Sequence, residues 1–253
     1  MRLGFDEYIH LNSPLHRWDP RFKLIGLFSL MFAFAFVREP RLLLAMVTAT
    51  AVIFIVSRLP LTYLLSRLRY PSLFLLALII ALPFISGGIT IASAGPFDIK
   101  QEGVASSIMI ASRFFCIITL GLVLFSTAPF LTTIKAMRAL GLPETITDMA
   151  LLAFRYFHDI GEQLHRMETS MIVRGFRPRR FNPRSVSVLA WLGGSILVRS
   201  YERSEWVYKA MILRGYGQAA GKSGDFKAQT ADAAGLAAVL MLSASFVAAQ
   251  ALL

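Results

Sequence analysis

At 253 residues with 56% hydrophobic and only 16% charged, the chain is too poor in charge for a soluble globular domain, where about 25% is usual. Lys and Arg outnumber Asp and Glu by 26 to 15, for a net charge of +11, and they sit in the segments between apolar blocks. That distribution matches the loops of a membrane protein and argues against nucleic acid as a partner. The single cysteine, Cys116, lies within an apolar block, which excludes an intrachain disulfide framework or a cysteine metal cluster.

The chain opens on a polar stretch with Pro14 and Pro20 and no signal-peptide core, so the N-terminus is expected to be retained. Five apolar blocks then predict membrane spans over residues 22–37, 42–57, 71–91, 103–128 and 232–253. The first two are short, since sixteen residues rise roughly 24 Å against a hydrocarbon core of about 30 Å. Arg38-Glu39-Pro40-Arg41 between them predicts a tight turn and a helical hairpin. Pro83 and Gly87-Gly88 predict a kink or break in the third span. The last span is rich in Ala, Ser and Gly, which predicts close packing on other helices.

Cations set the orientation. Arg2, Arg17, Arg21 and Lys23 precede the first span, and Arg58, Arg67 and Arg69 lie between the second and third. The segment 129–229 carries about fifteen Lys and Arg, whereas the other two loops are near neutral. The positive-inside rule then places the N-terminus and the long segment in the cytoplasm and the C-terminus outside the cell (inner) membrane. The expected organisation is therefore all-α: residues 1–128 with four spans, 129–229 as a cytoplasmic helical coupling region, and 230–253 as the fifth span.

Within the long segment, Ile146, Met149, Ala153, Phe157, Ile160, Leu164, Met167 and Met171 recur at helical spacing, opposite Arg155, Asp159, Glu162 and Arg166. Pro143 suits the first turn of this helix and Gly175 its end. A second helix is predicted over 185–214, loosened at Gly193-Gly194 and ended by Gly215. Two shorter pieces, 60–69 and 130–140, alternate basic and apolar positions and predict interfacial helices.

The two long helices close alike. Met171-Ile172-Val173-Arg174-Gly175-Phe176 returns forty residues later as Met211-Ile212-Leu213-Arg214-Gly215-Tyr216, and Glu162 matches Glu202 at the same offset. One Arg-Gly pair is an ordinary helix end, with a cation on the dipole and a glycine cap. Two copies in one segment point further. A guanidinium at the tip of a rigid helix can dock in a carboxylate-lined groove through paired hydrogen bonds. Two matched tips suit a partner with two equivalent grooves, such as a pair of cytoplasmic ATP-binding subunits.

These paired ends resemble the two Ala-Arg-Gly signatures of the transmembrane T components of energy-coupling factor (ECF) transporters, with Val173 and Leu213 where Ala is usual. The stretch His16-Arg17-Trp18-Asp19-Pro20-Arg21-Phe22-Lys23-Leu24 is similar to the family's lead into its first span, and Met137-Arg138-Ala139-Leu140-Gly141-Leu142-Pro143 also resembles it. The opening from Asp6-Glu7-Tyr8 to Ser13-Pro14-Leu15-His16 looks most like the cobalt or nickel members, the CbiQ-type subunits that serve cobalamin biosynthesis. The resemblance implies a non-catalytic coupling subunit of an ATP-driven uptake system. Two cytoplasmic ATP-binding subunits, anchored at Arg174 and Arg214 with Gly175 and Gly215 permitting the turn, would bind ATP and Mg. A separate membrane substrate-binding (S) subunit would bind the cargo. Alternatives are a T component for a vitamin, an intramembrane enzyme acting on lipid-linked substrates, and a membrane scaffold.

Arg113 lies within the fourth span, where a charge is costly. It is either a functional intramembrane residue or an arginine satisfied by carbonyls. His158 and His165 flank Glu162, half of what a helical di-metal site requires, and His10 and His16 stand near the N-terminus. No metal ligand, cofactor site or catalytic residue is assigned from them. Gly221-Lys222-Ser223 lacks the first glycine of a nucleotide-binding loop, so this chain is not expected to hydrolyse ATP.

Overall fold

The computed structural model describes residues 13–85, 90–94, 97–176, 183–217 and 229–252. The features expected at Asp6, Glu7, Tyr8, His10, Gly87, Gly88 and Gly221-Lys222-Ser223 lie outside them. In chain order the elements are α1 (Pro14–Arg17), α2 (Pro20–Phe36), a 3-10 turn (Pro40–Leu42), α3 (Leu43–Ser57), α4 (Leu61–Ile85), β1 (Thr90–Ala94), β2 (Phe97–Lys100), α5 (Gln101–Ser126), α6 (Phe130–Ala139), α7 (Glu144–Val173), α8 (Pro183–Leu213) and α9 (Thr230–Leu252). The fold is that of an all-α polytopic membrane protein, interrupted by one short antiparallel β hairpin that pairs Thr90 with Lys100 and Ala94 with Phe97. The chain forms two compact units, residues 2–140 with 226–253, and residues 141–225.

In the first unit, four stretches among the described residues are long and apolar enough to cross a membrane: Pro40–Ser57, Leu61–Leu82, Ala105–Ser126 and Thr230–Leu252. Only 6% of the Leu61–Leu82 window is buried inside the chain, so its apolar surface is left for lipid or another protein. The remaining expected span, α2, has 17 residues and rises about 25 Å, the lower limit for crossing.

Short as it is, α2 is the hub of the unit. Leu24, Leu27, Leu30, Ala33 and Phe34 are buried on its inner faces, spaced three and four apart as packing against neighbours on two sides requires. Its partners are α9, α5 and α6, while α3 packs chiefly on α5. The core is completed by Met46 of α3, Cys116, Leu120 and Leu124 of α5, and Phe246 of α9. Phe246 meets Phe34 edge to face at 5.2 Å. The small residues of α9 do what their size allows: Ser243 hydrogen-bonds Ser29 at 3.1 Å, and a Cβ on Gly235 would meet the Trp18 ring at 3.4 Å.

Several expectations are revised. The predicted interfacial piece 60–69 and the third span are one continuous helix, α4, which runs through Pro71 and ends at Ile85; residues 90 and 91 belong to β1. A proline removes one backbone donor, but breaking a helix in lipid would strand several polar groups. The stretch 130–140 does form a helix, but Thr133, Ile134 and Ala136 are buried and α6 packs on α2. It therefore belongs to the membrane unit, and the second unit starts at Gly141. The expected α2–α3 hairpin is consecutive in sequence, yet each helix makes its main contacts elsewhere.

The two ends of this unit differ. At one, Lys23 on α2 reaches Thr127 after α5, Tyr63 on α4 bonds Ser126, and α1 lies on α3. At the other, Gln250 of α9 accepts hydrogen bonds from the backbone N–H groups of Arg38 and Glu39 at 2.7 and 3.1 Å.

Asp19 caps α2 at its start, accepting from the Arg21 N–H at 2.9 Å and, side chain to side chain, from Arg21 Nη2 at 3.0 Å. Burial pushes its carboxyl up, but the hydrogen bonds and charge of Arg21 outweigh this and hold it below the ordinary carboxylate value. A depressed carboxyl contributes stability above its unfolded pKa of about 3.9 and loses it as pH falls through the lower folded value. Asp19→Asn should therefore flatten the fall in melting temperature of the detergent-solubilised protein as the pH drops below about 4.

Candidate functional site

The unit 141–225 is built from α7 and α8, and its distinctive features are their C-terminal ends. Both end in the same hydrogen-bonded closure. Phe176 N–H donates to the Met171 carbonyl at 3.0 Å and Gly175 N–H to that of Ile172 at 2.9 Å; Tyr216 N–H donates to Met211 at 3.0 Å and Gly215 N–H to Ile212 at 2.9 Å. This six-to-one, five-to-two pairing is the Schellman motif, which needs a left-handed residue after the cap. Gly175 at φ +86 and Gly215 at φ +83 supply it, a conformation that would strain a side-chain-bearing residue by about 1–2 kcal/mol. The repeat seen in the sequence is thus a repeat in three dimensions.

What the closure presents is an exposed, mixed tip. Arg174 and Arg214 are both exposed, and neither guanidinium makes a hydrogen bond or ion pair with a described residue. The apolar residue before each arginine is exposed as well: Val173 is 82% and Leu213 88% accessible, with Ile172 and Ile212 exposed beside them. In the sequence, Val173 and Leu213 stand out only as departures from the alanine of the resembling family. The structure makes them part of the site, because large apolar side chains standing in water at a rigid tip mark a contact surface. The apolar last turn was the signal that could have found them.

Tyr216, just past the end of α8, donates its hydroxyl proton to Asp148 Oδ2 near the start of α7 at 2.8 Å. The helices therefore run antiparallel, and the two tips lie at opposite ends of the pair. From Asp148 to Arg174 is 26 residues, about 39 Å of helix. Midway, Arg203 on α8 bonds Asp159 at 3.4 Å and stands over the Tyr156 ring at 5.6 Å. Such an exposed pair registers the helices more than it stabilises them. Between them lies an open groove of about 680 Å³ lined by Met149, Leu152, Tyr156, Ile160, Val207 and Met211. Ile146 and Phe157, expected on the apolar face of α7, are more than half exposed outside it, and α8 runs unbroken through Gly193-Gly194.

The other candidates fall elsewhere. Arg113 Nη2 donates to the Val37 carbonyl at the C-terminal cap of α2, where a cation also complements the helix dipole. Its Nε is buried without a hydrogen-bond partner among the described residues. His158 and His165 are exposed, and Arg166 donates to the Glu162 carboxylate between them at 3.3 Å. Among the described residues, no three His, Cys, Asp or Glu side chains come together. Two residues were passed over in the sequence. Lys23 is 1% exposed and Asp232 is 9% exposed, and both hold distant parts of the chain together. A lysine and an aspartate at the rims of otherwise apolar blocks were the available signal.

Residues 11–224 match the CbiQ family, described as a cobalt transport protein. Similar proteins include the energy-coupling factor transporter transmembrane protein EcfT of Limosilactobacillus fermentum, 27% identical over 100% of this chain and 99% of that one. The EcfT of Macrococcus caseolyticus is 27% identical over 85% of each. A putative ABC transporter ATP-binding protein of Bifidobacterium longum is 29% identical over 65% of this chain but only 22% of its own length.

Proposed function

Since the chain belongs to the CbiQ family of cobalt transport proteins, we propose that it is the transmembrane coupling component of an ECF-type uptake transporter whose cargo is cobalt or nickel ions. The observation that carries this reading is the matched pair of exposed Arg-Gly tips at the two ends of an antiparallel helix pair. Each tip offers a guanidinium and an apolar knob to one cytoplasmic ATP-binding subunit. A separation of about 39 Å suits two separate subunits rather than two contacts on one small domain. The full-length similarity to proteins named as ECF transmembrane components supports the class. The Bifidobacterium protein adds to it, because a polypeptide named for ATP binding includes a stretch like this one.

On this reading the chain is an integral membrane protein that hydrolyses nothing itself. ATP and Mg act on the partner subunits, and a membrane substrate-binding subunit holds the ion. Arg17, Arg21, Arg58, Arg67, Arg69 and Lys135 crowd the end of the membrane unit where α2 starts and α5 ends, which supports a cytoplasmic N-terminus and an outward C-terminus. The metal cargo rests on the family description and on the resemblance of the N-terminal stretch to CbiQ-type subunits. Purification from native membranes in mild detergent tests the whole. Two ATP-binding subunits and a small hydrophobic protein that binds cobalt or nickel are expected with the chain. Recovery of the chain without ATP-binding subunits overturns the reading, and a metal-free vitamin-binding partner overturns the cargo.

A further inference from the structure

The chain passes from the membrane unit into the unit 141–225 at the Leu140–Gly141 join and returns at the Asp225–Phe226 join. The membrane-side neighbours of both joins are fastened to the same short stretch of chain. Before the first join, Lys23 Nζ donates to the Thr127 carbonyl at 3.3 Å and to its hydroxyl at 3.1 Å, and α6, which follows, packs on α2. After the second join, Asp232 at the start of α9 takes three hydrogen bonds. Its Oδ1 accepts from the Asp19 N–H at 3.3 Å, its Oδ2 from the Gln229 N–H at 3.0 Å, and its carbonyl from Trp18 Nε1 at 3.1 Å. The Trp18 ring then lies in the space left by Gly26 and Gly235, against α2 and α9 together.

Neither fastening is what stability alone would select. A buried ammonium whose acceptors among the described residues are neutral, and a buried carboxylate held by two backbone N–H groups, both carry a desolvation cost that apolar side chains of similar size avoid. What these groups add is direction. Hydrogen bonds of fixed geometry hold the two chain entries of the helical unit on the short stretch from Trp18 to Lys23 that leads into the first turn of α2, which is itself the hub for α5, α6 and α9.

We propose that Trp18, Asp19 and Lys23 form the transmission point of the transporter. Displacement of the unit 141–225 is delivered through Thr127 and Asp232 to α2, and from there to the rest of the membrane unit. This rests on the coupling function proposed above. Lys23 and Asp232 are positioning residues; they touch neither the ATP-binding subunits nor the cargo.

The test uses the whole complex in lipid nanodiscs, with Cys116→Ser as background and Phe36→Cys as a reporter at the exposed far end of α2. The rate of labelling by a water-soluble maleimide is compared without nucleotide and with trapped ATP. With the clasp intact the rate is expected to shift several-fold. In Lys23→Met and in Asp232→Ala the shift is lost, while the ATP-binding subunits still copurify and hydrolyse ATP. Lys23→Arg, which keeps a donor, restores it. Trp18→Phe, which removes the indole N–H together with part of the ring packed at Gly26 and Gly235, serves if either truncation fails to assemble, and should weaken the shift. An undiminished shift in these variants, or no shift with the clasp intact, overturns the proposal. Absence of ATP-binding subunits from the parent complex is a separate outcome that removes the coupling function and this proposal with it.

Discussion

Replacing Arg174 and Arg214 together with Ala should leave a folded membrane protein that no longer copurifies with ATP-binding subunits. The helix closures do not use these side chains, since the bonds to Met171, Ile172, Met211 and Ile212 come from backbone N–H groups of the residues that follow. Loss of a cation at an exposed helix end costs about 0.3–1 kcal/mol through the dipole, too little to unfold the chain. At an interface, truncating one partner of a hydrogen-bonded charge pair costs about 2–5 kcal/mol, or about 30-fold in affinity or more at each tip. Each single variant should therefore retain one of the two subunits and lose uptake, and the double variant should retain neither. Arg→Lys at both positions separates the two roles of the charge. A lysine complements the dipole equally well but lacks the planar fork that binds a carboxylate through two bonds. Full assembly with lysine, or with alanine, would show that these arginines only cap their helices.

Val173→Asp with Leu213→Asp is expected to have a comparable effect by a different route. Both side chains are almost wholly exposed in the isolated chain, so the substitution removes no internal packing. Burying a valine or leucine against a partner contributes about 1.5–3 kcal/mol, and a carboxylate in its place must be desolvated and, beside an acidic groove, repelled. Copurification and ATP-coupled uptake should both fall by at least about tenfold. Val173→Ala with Leu213→Ala, which supplies the residue usual in the resembling family, should be far milder. If the aspartates assemble as well as the parent, the tips are not buried in any partner, and their apolar character is incidental.

The helix ends show how much of such a site can be read from residues alone. Arg174, Gly175, Arg214 and Gly215 were named from a six-residue pattern because the closure itself spans six residues, and nothing outside that window is needed to form it. The spans were legible for a related reason: crossing lipid demands a continuous apolar run with internal hydrogen bonding, which is a local property. Where local rules misled, a wider constraint prevailed. Pro83 suggested a kink or break, but α4 runs past it to Ile85, since an interrupted helix in hydrocarbon leaves more groups unsatisfied than the proline does.

Composition, apolar run length and the Arg-Gly repeat were enough to establish a polytopic helical protein with two matched helix ends, because each depends on neighbours within a few turns. Which end of α8 meets which end of α7, which groups Lys23 and Asp232 bind, and that Trp18 bridges α2 and α9 had no local trace. Tyr216 lies 68 residues from Asp148, and Trp18 lies 214 from Asp232. Contacts of that separation exist only once the chain has folded, and there the arrangement of the helices, not their sequences taken singly, chooses the partners.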